Sequence, residues 1–345
     1  MAPNPKDSMK STWRTASQDT WTVFHWAIEL LGAHPVALDQ EVPVFDKSSK
    51  LPYMPQWSLQ RWVLFYAAIP LALHQAYAHL TGHNLSAFAA FNLYLFAINA
   101  NVIYQVHVLR RLGHIYGFLD GQHPRDGVPD VGVAKVVLSL YKTTGARLAL
   151  AVWLCYQPAQ RPADLDWAWL PLQIGLYGVI LDFWFYWYHR LMHDVPWLWR
   201  FHRTHHLTKH PNPLLAAYAD HEQEFGDMVG VPVLTFFTLR AIGLPLGFYE
   251  WWVCQQYVVF AEVFGHSGLR VQTSVPSTLS WLLTMFNAEI VIEDHDLHHR
   301  KGWRKSHNYG KQTRLWDRVF GTCTDRVEAV EENVDYGNVV PMPLW

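Results

Sequence analysis

The chain has 345 residues and a formal net charge of −2, and half of it is hydrophobic while only 16% is charged. Soluble domains usually carry about 25% charged residues, so the composition favours a chain embedded in lipid over a soluble enzyme, and the charge gives no support to nucleic-acid binding. Cys155, Cys254 and Cys323 form no C-x-x-C pair, which argues against a disulfide framework and a thiolate metal site.

The first part of the chain predicts a peripheral segment followed by a membrane hairpin. Residues 1–60 are mixed in character and lack the apolar run of a cleavable signal peptide. Residues 62–80 and 85–106 are almost wholly apolar, and each approaches the ~20 residues that a helix needs to cross a bilayer. Arg110 and Arg111 follow the hairpin and place that end in the cytosol. We therefore predict a membrane hairpin and a cytosolic linker over residues 61–147.

Further apolar stretches predict a second membrane-associated unit, the catalytic domain, over residues 148–325, followed by a tail over residues 326–345. The stretches are residues 148–156, 167–188, 228–248 and 249–264. The first is too short to cross a bilayer and is typical of half of a re-entrant pair. The predicted fold is an all-α integral membrane protein with about four transmembrane or re-entrant helices and a cytosolic, histidine-rich helical cap.

Histidines between these stretches are bunched in three clusters. The clusters are His189 and His193; His202, His205 and His206; and His295, His298 and His299. Spacings of three and four residues put imidazoles on one face of a helix. One H-x-x-H-H pattern arises easily by chance, but two of them together with an H-x-x-x-H predict eight metal ligands. The other histidines of the N-terminal half show no ligand spacing, and His210 is interpreted as a loop residue.

The number of clustered histidines indicates two metal ions. A zinc site needs only three or four protein ligands. A zinc metalloprotease is disfavoured because His221-Glu-Gln-Glu-Phe225 lacks the second histidine of its motif. Soluble di-iron bundles use glutamate ligands, whereas carboxylates are sparse among these clusters. A two-metal site built almost entirely from nitrogen ligands beside a membrane suits O2 activation at iron and attack on a lipid C–H bond.

The clusters and the segments around them resemble the fatty acid hydroxylase/sterol desaturase superfamily over about residues 165–325. The similarity is carried by DFWFYWYHRLMH at 182–193, LWRFHRTHH at 198–206, Asn308-Tyr309-Gly310, and LWDRVFGT at 315–322. It implies a multi-pass endoplasmic reticulum protein with two iron ions held on the cytosolic side. It also implies O2 as oxidant, a lipidic substrate, and electrons from NAD(P)H through an external partner, cytochrome b5 or its reductase.

Two more ligands are implied by the resemblance, which brings the predicted set to ten. They are His221, where Glu222 replaces the proline of the family pattern, and His266, in Gly265-His266-Ser267-Gly268. No catalytic residue is predicted beyond the ligands. Ligating imidazoles usually donate their second N–H to a carboxylate or carbonyl. The side chains predicted to support the ligands in this way are Asp182, Glu224, Asp294, Asp296, His307 and Asp317.

The leading functional hypothesis is O2-dependent hydroxylation or oxidation of a fatty acyl, sterol or terpenoid substrate. A sterol C-4 methyl oxidase or a lipid desaturase is the enzymatic alternative. The His-Ser-Gly segment favours the methyl oxidases, but Leu269-Arg270-Val271-Gln272 replaces the Tyr-Asp-Phe-Pro that follows it there. A membrane metal-binding or transport protein is the non-enzymatic alternative. It is disfavoured because the clusters lie beside the apolar stretches rather than within them.

Overall fold

Residues 4–345 are described by a computed structural model, and this part of the chain is mostly helical. Its α-helices are α1 Val23–Leu30, α2 Gln56–Thr81, α3 Ala87–Tyr116, α4 Val133–Cys155, α5 Leu170–Asp194, α6 Pro196–His202, α7 His221–Phe225, α8 Val231–Ala241, α9 Phe248–Gly265, α10 Ser280–Met285, α11 Ile292–Lys301 and α12 Leu315–Val319. Short 3₁₀ turns and one π turn, Gly226–Gly230, connect some of them.

A small parallel sheet departs from the all-α prediction. Strand β1, Leu51–Tyr53, pairs with β2, Val334–Val339, with Leu51 opposite Val334. The two strands lie near opposite ends of the sequence, so no local sequence pattern predicts that they pair. The pairing ties the N-terminal segment to the C-terminal tail.

The predicted hairpin forms two long helices, α2 and α3. They have 26 and 30 residues, and a turn with Gly82 in the left-handed region (φ 75°) follows α2. Their most apolar windows have mean hydropathies of 1.2 and 1.4, and large apolar side chains face outward, with Leu80 83% and Phe88 78% exposed. Among the helices of residues 4–345, these two are long and apolar enough to cross a membrane.

Helix α4 corrects the prediction of a short re-entrant segment at residues 148–156. The helix begins at Val133, well before that stretch, and runs to Cys155. Its buried residues include Val136, Leu148, Ala151 and Cys155, which lie along one side of the helix. Lys135 and Lys142 interrupt the apolar sequence of α4, so a continuous apolar run marks only its last part.

Helix α9 is the central helix of the fold. It is buried along nearly its whole length and packs against α2, α3, α4 and α5. Trp251 and Phe260 are among its fully buried side chains. The apolar character of residues 249–264 therefore reflects packing inside the protein. The C-terminal end of α9 lies beside α11, where the histidine clusters meet.

Candidate metal centre

The first group of histidines comes from four pieces of structure, three of them consecutive in the chain and the fourth, α11, far from them in sequence. His189 and His193 lie on one face at the end of α5, which stops before Pro196. His202 ends α6, His206 lies in the following 3₁₀ turn, and His298 lies on α11. Each of these five buried residues offers one ring nitrogen within 4.8 Å of the others. The arrangement has the size and the donor atoms of a single metal site.

The second group contains four buried histidines, again with one ring nitrogen each inside 4.8 Å. Its members are His205, His266, His295 and His299. The Nε2 atom of His266 lies 3.0 Å from that of His295 and 3.4 Å from that of His205. The neighbours His205 and His206 belong to different groups, as do His298 and His299. The two sites are therefore adjacent, and the rings of His206 and His299 are 4.8 Å apart between centroids.

Main-chain carbonyl groups orient five of these imidazoles. The Nδ1–H groups donate from His189 to Tyr309 (2.8 Å), from His193 to Trp303 (2.7 Å), from His266 to Glu262 (2.7 Å), from His298 to His307 (2.6 Å) and from His299 to Thr208 (3.2 Å). A neutral imidazole with a proton on Nδ1 carries its lone pair on Nε2. The carbonyl bonds thus direct the lone pairs into the two groups.

The buried nitrogens fit bound cations. Nε2 of His193 and Nε2 of His299 have no hydrogen-bond partner. Nε2 of His298 lies 3.1 Å from Nε2 of His206, and Nε2 of His189 lies 2.9 Å from Nε2 of His202. These nitrogens converge on one small buried volume, where a bound cation accepts a lone pair from each imidazole whose Nε2 carries no proton. Nitrogen-rich sets of this kind suit iron, copper, zinc or nickel.

Burial keeps the imidazoles in the form that binds metal. Loss of hydration lowers the pKa of His193 to about 4, and loss of hydration together with the neighbouring His266 lowers that of His205 to about 3. Loss of hydration, together with neighbouring histidines, holds the pKa of His206 and of His299 well below the usual value. The rings are therefore neutral at physiological pH, and their nitrogens are free to coordinate.

His221 lies outside both groups. Its side chain is 65% exposed, and its ring contacts Glu224 at 3.1 Å and the amino group of Lys142 at 3.4 Å. Nine of the ten predicted ligands thus come together, and His221 is not carried into the proposed set. The prediction of His221 as a ligand came from the family resemblance alone, and the sequence departs from the family pattern at the next residue, where Glu222 replaces proline.

The predicted supporting carboxylates do not accept hydrogen bonds from the ligand imidazoles, because main-chain carbonyl groups do so instead. Two of the carboxylates bind the backbone near those carbonyls. Asp182 accepts hydrogen bonds from the backbone N–H groups of Lys311, Gln312 and Thr313. Asp317 accepts from those of Tyr309 and Gly310. Both carboxylates hold the loop whose Tyr309 carbonyl orients His189.

The other predicted supporting residues fall into two sets. Asp294 and Asp296 on α11 pair with arginines: Asp294 with Arg326 at 2.7 Å, and Asp296 with Arg125 at 2.6 Å. His307 supports His298 through its carbonyl rather than its ring, and the carboxylate of Glu224 pairs with the exposed His221 at 3.1 Å. The sequence thus identified buried residues near the ligands but not the atoms through which they act.

A third histidine-containing group was not predicted, and its surroundings make it an ion-pair cluster. Asp120 lies 3.2 Å from His123 and 2.9 Å from His210. Its carboxylate also meets the amino group of Lys47 at 2.6 Å and the guanidinium of Arg300 at 3.4 Å. Two permanent cations already neutralise this carboxylate, so the group is poorly suited to a metal ion.

A cavity, here called the metal cavity, borders the histidines. It touches residues of both groups, including His189, His202, His205, His266 and His295. A second, mainly apolar cavity, the distal cavity, is lined by Val102, Val106, Val136, Leu140, Val259 and Val263 among others. The walls common to both are Thr143, Ala216, Ala217, Met228 and Glu262. The two spaces are therefore neighbours.

Four charged residues beside these cavities had no recognisable spacing in the sequence. Lys311 lies 2.6 Å from Asp227 and 3.1 Å from Glu262, and Arg147 lies 3.8 Å from Asp227. They come from four separate parts of the chain. Two positive and two negative charges thus lie close together in this buried region, and Arg147 is the least closely paired of the four.

Comparison with known proteins agrees with this site. The fatty acid hydroxylase family model matches residues 174–322, which include all the clustered histidines. The chain is 45% identical over 317 residues to the fatty acid hydroxylase vlmA of Lecanicillium sp, a match that covers 88% of this chain and 87% of the relative.

More distant relatives match over shorter stretches. Human alkylglycerol monooxygenase is 26% identical over 55% of this chain and 37% of its own length. Methylsterol monooxygenase 2-2 of Arabidopsis thaliana is 33% identical over 49% of this chain and 60% of its own length. No solved structure matches the chain. The long match to vlmA, together with the family model over the histidine clusters, shows that the chain belongs to the fatty acid hydroxylase family.

Proposed function

We propose that this protein is an O2-dependent oxygenase that oxidises a C–H bond of a lipidic substrate at two histidine-bound iron ions. The observation that carries the proposal is the pair of adjacent, buried histidine groups beside an apolar cavity. Relatives named as hydroxylases and monooxygenases support the oxidative chemistry. The first ion would be held by His189, His193, His202, His206 and His298, and the second by His205, His266, His295 and His299.

The residues of the chain perform three tasks in this proposal. When bound, the metal ions supply O2 activation. The carbonyl groups of Tyr309 and His307 hold ligand rings in place before any substrate binds. Apolar side chains such as Phe185 and Ile290 exclude water from the space beside the ligands, and they position a lipid chain there.

A fatty acyl chain is the substrate class we propose. The relative vlmA, which matches 88% of this chain, is named a fatty acid hydroxylase, whereas the methylsterol monooxygenase matches about half of this chain. The cavities have apolar walls suited to a flexible hydrocarbon chain. The alternatives are a sterol oxidase and a desaturase, and the identity of the product distinguishes them from a fatty acid hydroxylase.

A location in the endoplasmic reticulum membrane, with several crossings, is part of the proposal. The exposed apolar side chains of α2 and α3 support membrane insertion, since a water-exposed surface of that kind is costly. A lipid substrate is also most concentrated there. The resemblance noted from the sequence supplies the choice of organelle.

The last part of the proposal concerns the source of electrons. NAD(P)H supplies them to the protein through an external partner, cytochrome b5 or its reductase. The Trp303 carbonyl accepts from His193, and exposed basic side chains lie close by in sequence: Lys301 at the end of α11, and Arg304 and Lys305 in the loop that follows. A basic surface so close to a ligand complements an acidic electron-transfer partner. The surface gives the partner a short route to the first histidine group.

The test is product analysis in cells that contain cytochrome b5 and its reductase. The protein should stay with the membrane fraction after alkaline carbonate washing, and the purified protein should hold about two iron ions. Supplied fatty acids should gain one oxygen atom with consumption of NAD(P)H and O2. Loss of two hydrogens instead would identify a desaturase, and oxidation of sterols alone would identify the sterol alternative.

Matched variants separate the metal site from general folding. The double variant H205A/H298A removes one ligand from each group and should lose iron and activity. H221A removes an exposed histidine and should retain both. Full activity in the double variant, or metal binding without any turnover in the natural protein, would contradict the proposal.

A further inference from the structure

The distal cavity has one polar feature that the proposed chemistry does not use, the guanidinium of Arg147. Arg147 lies on α4, is 4% exposed and lines the cavity among valine, leucine and alanine side chains. A buried arginine in such a wall is unusual, because charged side chains are seldom fully buried unless they are paired. Its partners therefore decide what it does.

The pairing of Arg147 is incomplete. Its Nε lies 2.7 Å from the sulfur of Met228, a weak acceptor. Its nearest carboxylate, that of Asp227, is 3.8 Å away and is taken up more closely by Lys311 at 2.6 Å. Its Nη1 is buried with no hydrogen-bond partner. A charged donor left unpaired in an apolar cavity is strongly disfavoured unless a bound molecule supplies an acceptor.

We propose that Arg147 anchors the head group of an acyl substrate, whose carbonyl or carboxylate oxygen accepts a hydrogen bond from Nη1. This inference rests on the proposed function and adds the recognition of the substrate's polar end. The hydrocarbon chain then lies against the apolar walls, where burial of its methylene groups favours binding. A charge-assisted bond to the oxygen satisfies the donor that the protein leaves unpaired.

The position of Arg147 makes it a positioning residue for the oxidised carbon. It lines the distal cavity, whereas the histidines line the metal cavity. The small side chains of Ala216 and Ala217 stand in the wall common to both spaces. A chain anchored at Arg147 therefore passes from one cavity to the other. The separation between anchor and histidines sets which carbon faces the ligands.

The test is competition binding to the purified, iron-loaded protein in detergent. Radiolabelled palmitate is the probe, and methyl palmitate and hexadecane are the competitors. In the natural protein, the acid, the ester or both should bind at least about tenfold more tightly than the hydrocarbon. R147M should reduce this preference to about twofold or less, and R147K should keep part of it. A preference for the acid assigns a carboxylate, and similar binding of acid and ester assigns a carbonyl.

A second variant separates recognition from packing. L140W fills part of the distal cavity and should weaken binding of all three compounds without removing the head-group preference. Iron content and thermal unfolding verify that each variant is folded, and should R147M not fold, the natural protein, R147K and L140W still decide the question. Equal binding of hexadecane and palmitate to the natural protein would overturn the inference.

Product analysis distinguishes the two proposals. Arg147 variants that still hydroxylate should give a broader distribution of oxidised positions along the chain, a change that loss of stability alone would not produce. Hydroxylation with unchanged positions and unchanged head-group preference in R147M would overturn the role of Arg147 but leave the proposed function intact. A head-group preference without any oxidation would do the reverse.

Discussion

Asp182 supports the metal centre without touching a histidine. Its carboxylate accepts three backbone N–H groups and the hydroxyl of Thr313, at 2.7 to 3.1 Å. These bonds hold the loop that follows Tyr309, whose carbonyl orients His189. A carboxylate suits this place because it offers acceptors alone, and every neighbour named here is a donor.

Replacement of Asp182 by asparagine should weaken both stability and metal binding. The amide group turns a donor toward buried donors, and each unsatisfied buried group costs about 1–3 kcal/mol. We expect D182N to lower the free energy of unfolding by about 3 kcal/mol and to reduce iron content. Denaturant unfolding of the metal-free protein in detergent and metal analysis measure the two effects.

D194N is the matched control on the same helix. Asp194 is 50% exposed and pairs with Arg190 one turn away at 3.3 Å. Exposed pairs of this kind contribute about 0–1 kcal/mol, so D194N should change stability little. Equal losses in the two variants would show that the loop contacts of Asp182 have no special importance.

The family resemblance supplied His266, and residue spacing predicted the other eight histidines that the structure brings together, because i, i+3 and i+4 positions on short helices share a face whatever the rest of the fold does. It could not predict the groups that orient them. The carbonyls of Tyr309 and Trp303 lie more than a hundred positions from His189 and His193. A carbonyl belongs to every residue, so no side-chain pattern marks the ones that matter.

At the scale of elements, α5 depends on one glycine for its packing. A Cβ atom on Gly175 would lie 2.4 Å from a side-chain carbon of Leu279 and 2.8 Å from the hydroxyl of Thr278. Gly178, three residues further on, has nothing within 4 Å of that position. The close approach at Gly175 lets the segment before α10 lie against the helix that carries His189 and His193.

Alanine at these two glycines should therefore have opposite effects. G178A gains the helix propensity that glycine lacks, up to about 1 kcal/mol. G175A gains the same amount but forces overpacking, which typically costs about 1–3 kcal/mol, so we expect a net loss. Thermal unfolding of both metal-free variants in detergent measures the difference. A higher midpoint for G175A than for the natural protein would contradict the packing described here.

Apolar runs predicted that helices exist but not what surrounds them. Residues 62–80 and 85–106 lie in α2 and α3, whose outer faces are apolar. Residues 249–264 lie in α9, which is surrounded by other helices of the protein. Lipid and protein interior favour the same side chains, so hydrophobicity alone does not separate the two cases.

At the scale of the whole molecule, the metal centre joins parts of the chain that are distant in sequence. The first group links α5 and α6 to α11, and the second links the 3₁₀ turn at His205 to the end of α9 and to α11. Helix α11 contributes to both groups through His295, His298 and His299. In the proposed function, bound cations coordinate the ring nitrogens that the fold has removed from water, and metal binding would therefore be coupled to folding.

Removal of iron should consequently destabilise the whole fold. Free metal at a hundred times its dissociation constant stabilises the native state by about 2.7 kcal/mol per site. We expect the iron-loaded protein to unfold at a clearly higher temperature than protein treated with a chelator. H298A should shrink this difference, because it removes one ligand of the first group, whereas H221A should preserve it, because His221 lies outside both groups. Identical unfolding temperatures with and without iron, or an equal loss in H221A, would show that the histidine groups do not bind the metal that stabilises the fold.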